Sequence, residues 1–189
     1  LKNYFDKIIY DSYDGCDTFE QAESMFQGEA LEKALERSKT HANEVDCVFA
    51  GDLLNQCIGS SFGLMKFGIP YLGQYGACST MAQSLIMAAS AVESGGAKVS
   101  ACVTSSHFAS AERQYRFPLE YGNQRPPTSQ WTVTGAGAAL LDTSVRRPIC
   151  RATHVTLGRI VDLAIKDMNN MGAAMAPDDV QLTQYILNL

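Results

Sequence analysis

The sequence predicts an α/β fold built on a largely parallel sheet, and three observations carry that reading. Short apolar runs of strand length alternate with longer segments of helical spacing, the pattern of strands joined by crossover helices. Glycine or proline punctuates most junctions between them. One junction, Tyr75-Gly76-Ala77-Cys78-Ser79-Thr80, turns a strand directly into a helix and places a cysteine at the bend.

Residues 18–39 read as a helix, because Ala22, Met25, Phe26, Ala30, Leu31 and Leu35 form a stripe at i, i+3/i+4 spacing. Residues 45–50 (VDCVFA) are a short apolar run before Gly51-Asp52, as expected for a buried strand. A short helix over 60–67 is stopped by Gly68 and Pro70, and a second strand over 71–75 ends at Gly76. Residues 79–94 read as a helix. Met81, Leu85, Ile86, Met87, Ala88 and Val92 run nearly all round it, so it is expected to be buried on most sides. Gly95-Gly96 supplies its stop. A third strand covers 99–104. The polar stretch 105–116 is expected to be partly helical, and the proline-bearing 117–129 to be a loop. Residues 131–141 read as a glycine-interrupted strand, 151–163 are expected to contain another, and helical spacing returns over 178–189.

The 189 residues suit one domain or slightly more, and 46% apolar with 19% charged residues is an ordinary globular balance. A net charge of −5 argues against non-specific nucleic-acid binding, which needs clustered cations. A local basic spot is left around Arg113, Arg116 and Arg125. The six cysteines form no C-x-x-C pair and no zinc pattern with His41, His107 or His154, so no metal site is expected and a reducing compartment is. No signal peptide is visible at Leu1-Lys2-Asn3-Tyr4, and the longest apolar stretch, around 85–92, is too short to cross a bilayer. The chain begins without a convincing first strand and ends within a helical segment, so it is expected to be part of a longer protein.

The strand–Gly–Ala–Cys–helix turn places Cys78 near a helix N-terminus. The dipole there favours a thiolate, and free N–H groups suit an oxyanion or carboxylate. Gly76 is expected to take the backbone angles that other residues avoid. The logic is that of a nucleophile elbow with cysteine in place of serine. A small buried packing residue is the competing reading of Cys78, and it is the expected role of the other five cysteines. His107 follows the strand 99–104, at the sheet end where α/β sites lie, and either orients a ligand or pairs with Cys78, or is a capping or surface histidine. His154 reads as structural and His41 as solvated. Glu112-Arg113-Gln114-Tyr115-Arg116 suits either an anion held by arginine forks or a salt-bridged interface. Asp52 and Asn55 either line the same sheet end or act as turn and cap residues. Gly135 and Gly137 suggest close backbone approach within a sheet and, lacking a following lysine, form no phosphate loop.

Several stretches together carry a resemblance. They are 50–56 (AGDLLNQ), 76–80 (GACST), 104–107 (TSSH), 111–118 (AERQYRFP), 120–122 (EYG), 132–135 (TVTG) and 171–177 (MGAAMAP). The chain resembles the thiolase-like superfamily, and within it a branch of sporulation proteins from endospore-forming bacteria. The resemblance implies a layered α/β sandwich of two similar βαβαβ-type halves. Residues 1–145 are then the first half without its first strand, and 146–189 the truncated beginning of the second. It implies a protein that binds dipicolinic acid and supports its uptake into the developing spore, without acyl transfer. The implied ligand set is Cys78, Ser79, His107, Arg113 and Asn55, with no cofactor. It also implies membrane-embedded partners from the same sporulation operon, a homodimer, and a location in the cytoplasm or peripheral at the inner membrane of the forespore. The alternative is a thiolase-like acyltransferase with Cys78 as nucleophile, charged from a coenzyme A thioester. A third reading is a structural subunit with a vestigial pocket.

Overall fold

Alternation along the first apolar run decides how the sheet is covered. In the computed structural model, which describes residues 2–112, 133–145 and 148–167, strand β1 spans Cys47–Gly51 and helix α1 spans Phe19–Ser38. Successive side chains of a strand point to opposite faces. Val48 and Ala50 of β1 pack towards Leu31 and Leu35 of α1. Phe49 packs the other way, onto Ala88 of helix α3, which spans Thr80–Glu93. Strand β3 (Val99–Ser106) repeats the rule: Ala101 and Val103 join the α1 core, and Cys102 joins the α3 core.

Helix α2 (Ile58–Leu64) links β1 to strand β2 (Tyr71–Gly73) and contributes Leu64 to the α1 core. Helix α3 then carries the chain from β2 over β1 to β3. Strand β2 pairs parallel with β1 and β1 parallel with β3, while strand β4 (Gly135–Asp142) returns antiparallel beside β3. The order is β2-β1-β3-β4, so β1 is flanked by its two successors and the helices lie on both faces. That arrangement opens a crevice at the carboxyl ends of β1 and β3. Each fully buried aliphatic such as Leu31 contributes about 1.5–3 kcal/mol.

Helix α1 begins where the sequence allows a cap: Thr18 Oγ1 accepts the Gln21 N–H at 3.2 Å. It stops at Lys39, which takes a left-handed conformation (φ 58°) and lets Thr40 N–H reach the Leu35 carbonyl.

Two expectations are corrected here. Helix α3 is covered on one stripe only, Thr80, Ser84, Ala88 and Val92, at i, i+4 spacing, while Leu85 and Met87 are exposed. A single sheet covers a single helix face, whatever the apolar content of the others. Residues 151–163 form no strand, and Val155, Leu157 and Ile160 are exposed. Their composition favours extended backbone, but a strand exists only as a pair, and no neighbouring edge among the described residues pairs with them. The expected loop over 117–129 and the helix over 178–189 lie outside the described residues.

Spatially, the chain divides into two units, Leu1–Ala111 with Val133–Val155, and Glu112–Thr132 with Thr156–Leu189. The first holds the whole sheet and its helices. In the second, residues 156–167 are exposed and irregular.

Candidate functional site

The crevice at the carboxyl edge of the sheet is a cleft of about 360 Å³. Four segments line it: Asp52 and Leu53 after β1, Ala77, Cys78, Thr80 and Met81 at the head of α3, Thr104 to Ser106 ending β3, and the start of β4. Because β4 is antiparallel to β3, its first residues, Gly135 and Gly137, arrive at the same edge. A side chain at either glycine would meet nothing within 4 Å among the described residues, which show no close backbone approach there. The two glycines instead leave the cleft wall bare.

Cys78 sits in a single 3₁₀ turn, Ala77–Ser79, that leads into α3. The turn is held by Thr80 Oγ1, which donates to the Ala77 carbonyl (2.8 Å) and accepts the Gly76 N–H (3.1 Å). Ser79 Oγ donates to the Gly76 carbonyl at 2.7 Å. Cys78 and Ser79 are exposed, which overturns the competing reading of Cys78 as a small buried packing residue. The thiol stands at the mouth of the cleft. The strained residue of the turn is not Gly76, whose φ is −132°, but Ala77, at φ +49°. Gly76 is needed for room: a Cβ there would come within 2.5 Å of Ser79 Oγ. Gln56 (φ +59°) and Cys57 (φ +53°) also have left-handed backbones, in the loop after β1. Three such non-glycine residues at one sheet edge, each costing about 1–2 kcal/mol, concentrate strain around the cleft.

Asp52 serves in both of the roles open to it. It lines the cleft, and its carboxylate organises the loop after β1 by accepting Leu54 N–H (2.8 Å), Ser60 N–H (2.7 Å) and Ser60 Oγ–H (2.6 Å). Asn55 is exposed in the turn Asn55–Cys57, beside the cleft rather than in its wall. Gly51 lets this loop and the α3 turn meet, since a Cβ there would collide with the Gln74 carbonyl oxygen and with Thr80 Cγ2.

The structure does not bring His107 to Cys78. His107 is fully buried on the α1 side, stacked with Phe26 and Phe108 and tilted against Phe19. Its Nδ1 accepts the Ala109 N–H at 3.1 Å, which leaves Nε2 as the protonated nitrogen, donating to the Ser12 carbonyl at 2.8 Å. Both nitrogens are thereby engaged within the fold. His154 is exposed, next to Thr153 Oγ1, rather than structural. Cys150 is exposed as well, while Cys57 and Cys102 are buried as expected. Burial pushes the Cys102 thiol up to about 11. Arg113, Arg116 and Arg125 lie outside the described residues.

Sequence reasoning missed a buried acidic network beneath the cleft. Glu23 of α1 is fully buried and accepts Ser105 Oγ–H (2.9 Å) and Ser110 Oγ–H (2.6 Å). Gln27, one turn on, donates through Nε2 to Ser105 Oγ and Ser60 Oγ, both at 2.9 Å. Ser60 closes the chain on Asp52. Two buried carboxylates are thus joined through two serines and a glutamine. Burial raises the Glu23 carboxyl above its ordinary range, against the lowering effect of the two serine hydrogen bonds. The signal was available: Glu23 and Gln27 interrupt the apolar stripe of α1 at i, i+4 spacing.

Residues 1–188 match the family described as stage V sporulation protein AD. The sporulation protein of that name from Bacillus subtilis (strain 168) is 38% identical over 177 residues, covering 94% of this chain and 52% of that protein. The chain therefore spans about half the length of the curated relative it matches. Among solved structures, the β-ketoacyl-[acyl carrier protein] synthase III of Thermus thermophilus superposes with a TM-score of 0.50 at 18% identity, over 65% of this chain and 37% of that one. The 3-oxoacyl-[acyl-carrier-protein] synthase III of Aquifex aeolicus VF5 gives 0.47 at 18% identity, over 62% and 37%. The fold is that of the thiolase-like condensing enzymes.

Proposed function

Because the chain belongs to the stage V sporulation protein AD family, we propose that its cleft binds dipicolinic acid and that the protein supports uptake of this dianion into the developing spore. The observation that carries the reading is the cleft itself. Its volume lies in the small-molecule range. It opens at the head of α3, where the helix dipole favours a carboxylate. It also holds a waiting polar group: Ser106 Oγ is shielded from water and has no hydrogen-bond partner among the described residues. A buried hydroxyl left unpaired costs about 1–3 kcal/mol, which a ligand carboxylate would recover.

In this reading Cys78 and Ser79 form the rim, Asn55 approaches from the loop after β1, and Arg113 supplies the counter-charge. His107 anchors the end of β3. Its nitrogens are spent on Ser12 and Ala109, which favours binding over thiol chemistry driven by this histidine. The acyltransferase alternative draws on the exposure of Cys78 at a strand–helix turn. The proposal extends to a second copy of the chain as homodimer partner, to the membrane proteins of the stage V sporulation A operon, and to the forespore inner membrane as the place of action. Residues 1–145 and 146–189 would correspond to the first thiolase-like half and the opening of the second. No helix among the described residues is long and apolar enough to cross a membrane.

The test is calorimetric titration of the chain with dipicolinate beside mass spectrometry after exposure to acyl-coenzyme A. Saturable dipicolinate binding with no acyl adduct on Cys78 is expected. An acyl-Cys78 adduct together with no dipicolinate binding would replace this reading by the alternative.

A further inference from the structure

Strand register decides which residues share the cleft. In the antiparallel pair of β3 and β4, Thr104 stands opposite Gly137 and Ser106 opposite Gly135. Residues directly opposite one another lie on the same face of a sheet. That face is the one α3 covers: Cys102 and its partner Ala139 belong to the α3 core, and Thr104 Oγ1–H reaches Met81 Sδ at 3.5 Å. Where α3 begins, its cover ends. Gly135 and Gly137 are left exposed on this face, in the wall of the cleft.

The fold itself gives no reason for either glycine. Neither has a left-handed backbone. The register runs unbroken from Gly135 to Asp142, so neither marks a bulge. A Cβ at either would meet nothing within 4 Å among the described residues. Glycine weakens a strand, through its freedom in the unfolded chain and its lack of packing surface. A strand glycine also marks the place where a ligand comes close to the backbone. Ser106 Oγ is a separate sign of the same thing: it lies across from Gly135, shielded from water and without a hydrogen-bond partner among the described residues.

We propose that Gly135 and Gly137 form a flat shelf on which the ring of an aromatic dicarboxylate lies face-on, so that the cleft selects a planar ring over a puckered one of equal charge. The proposal rests on the dipicolinate reading and adds its specificity. The two glycines stand about 7 Å apart along the strand, the span of one six-membered ring. Without Cβ atoms, the peptide groups between them can meet the ring face at van der Waals distance. A puckered ring touches such a surface at a few atoms only and forfeits most of that contact. Ser106 Oγ–H donates to a carboxylate at the ring edge. Met81 Sδ, beside Thr104, offers the polarizable contact that sulfur makes with aromatic rings.

The experiment is calorimetric titration of the chain with three dianions: dipicolinate, isophthalate, and cis-cyclohexane-1,3-dicarboxylate, the puckered counterpart of isophthalate. The wild type is expected to bind both aromatic dianions, and the cyclohexane compound at least about tenfold more weakly than isophthalate. Gly137→Ala and Gly137→Val place a side chain on the shelf. Both are expected to weaken dipicolinate binding, the valine by at least about tenfold. In urea unfolding both are expected to be as stable as the wild type or more so, which a structural role for the glycine would not allow. Dipicolinate binding unchanged in both variants overturns the shelf and leaves the dipicolinate reading standing. So does equal affinity for isophthalate and its puckered counterpart, or failure of isophthalate to bind where dipicolinate does. Binding of isophthalate ahead of its puckered counterpart, with none of dipicolinate, keeps the shelf and overturns the dipicolinate reading. No binding of any of the three overturns both.

Discussion

At the scale of single residues, two carboxylates act on pH behaviour in opposite directions. Asp46 Oδ2 accepts the Lys98 N–H (2.6 Å) and the Val99 N–H (3.1 Å), and these backbone bonds hold its carboxyl below the usual range. Its stabilising effect is present above the unfolded-state value and is lost as pH falls through the lowered folded value. Glu23 is raised by burial, so the folded state holds its proton more tightly than the unfolded chain does. Its contribution is present below the unfolded-state value and is lost as pH rises through the raised folded value. Urea titrations across pH are therefore expected to show Glu23→Gln gaining stability relative to wild type as pH rises. A constant difference between the two would contradict the assignment. Gly51→Ala is expected to destabilise by about 1–3 kcal/mol, because the new methyl meets a backbone carbonyl that cannot yield. The same titration, at one pH, measures it.

His107 and Gly76 show how residue-level reading goes astray. The sequence placed His107 correctly after β3, but one strand offers two faces, and which face a residue just beyond its end will take depends on what packs there. Three aromatic side chains, Phe19, Phe26 and Phe108, drew the imidazole to the α1 side. At the turn, glycine was chosen for the space around it, and alanine carries the left-handed angle. Neither distinction is written in a residue type.

At the scale of elements, strand and helix identities followed from local patterns. Helix α1 fills the segment 18–39 that reads as helical, between the cap at Thr18 and the stop at Lys39 that the structure adds. Removing the cap with Thr18→Ala is expected to cost about 0.5–2 kcal/mol, with the first turn of α1 gaining hydrogen exchange before the rest. Leu31→Ala, at the centre of the core shared by α1, β1 and β3, is expected to cost about 2–5 kcal/mol by denaturant unfolding. What the pattern did not reveal was coverage. The apolar surface of α3 signals burial on most sides, but in this structure the sheet takes one stripe, and Leu85 and Met87 lie outside it. The apolar run in 151–163 likewise signals a strand that has no paired edge among the described residues.

At the scale of the whole molecule, the topology makes the site. Placing β1 between β2 and β3 brings the loops after all three strands to one edge, and the antiparallel return of β4 adds two bare glycines there. The position of that edge was legible from the strand–Gly–Ala–Cys–helix turn. The buried Glu23–Ser105–Gln27–Ser60–Asp52 network was not, because it joins residues far apart in sequence that only the folded crossing of α1 over β3 brings together. The fold is that of the condensing enzymes and the family is that of a sporulation protein. The cleft is where those two facts meet.

The central claim is that dipicolinate occupies the cleft whose mouth is Cys78. It is tested most directly by protection of that thiol, with Cys150, also exposed, as the internal control. The measurement is the rate of iodoacetamide alkylation at each cysteine, read by mass spectrometry with and without saturating dipicolinate. The account predicts that the ligand slows alkylation of Cys78 at least several-fold and leaves Cys150 unchanged. Equal rates at Cys78 with and without the ligand would contradict it.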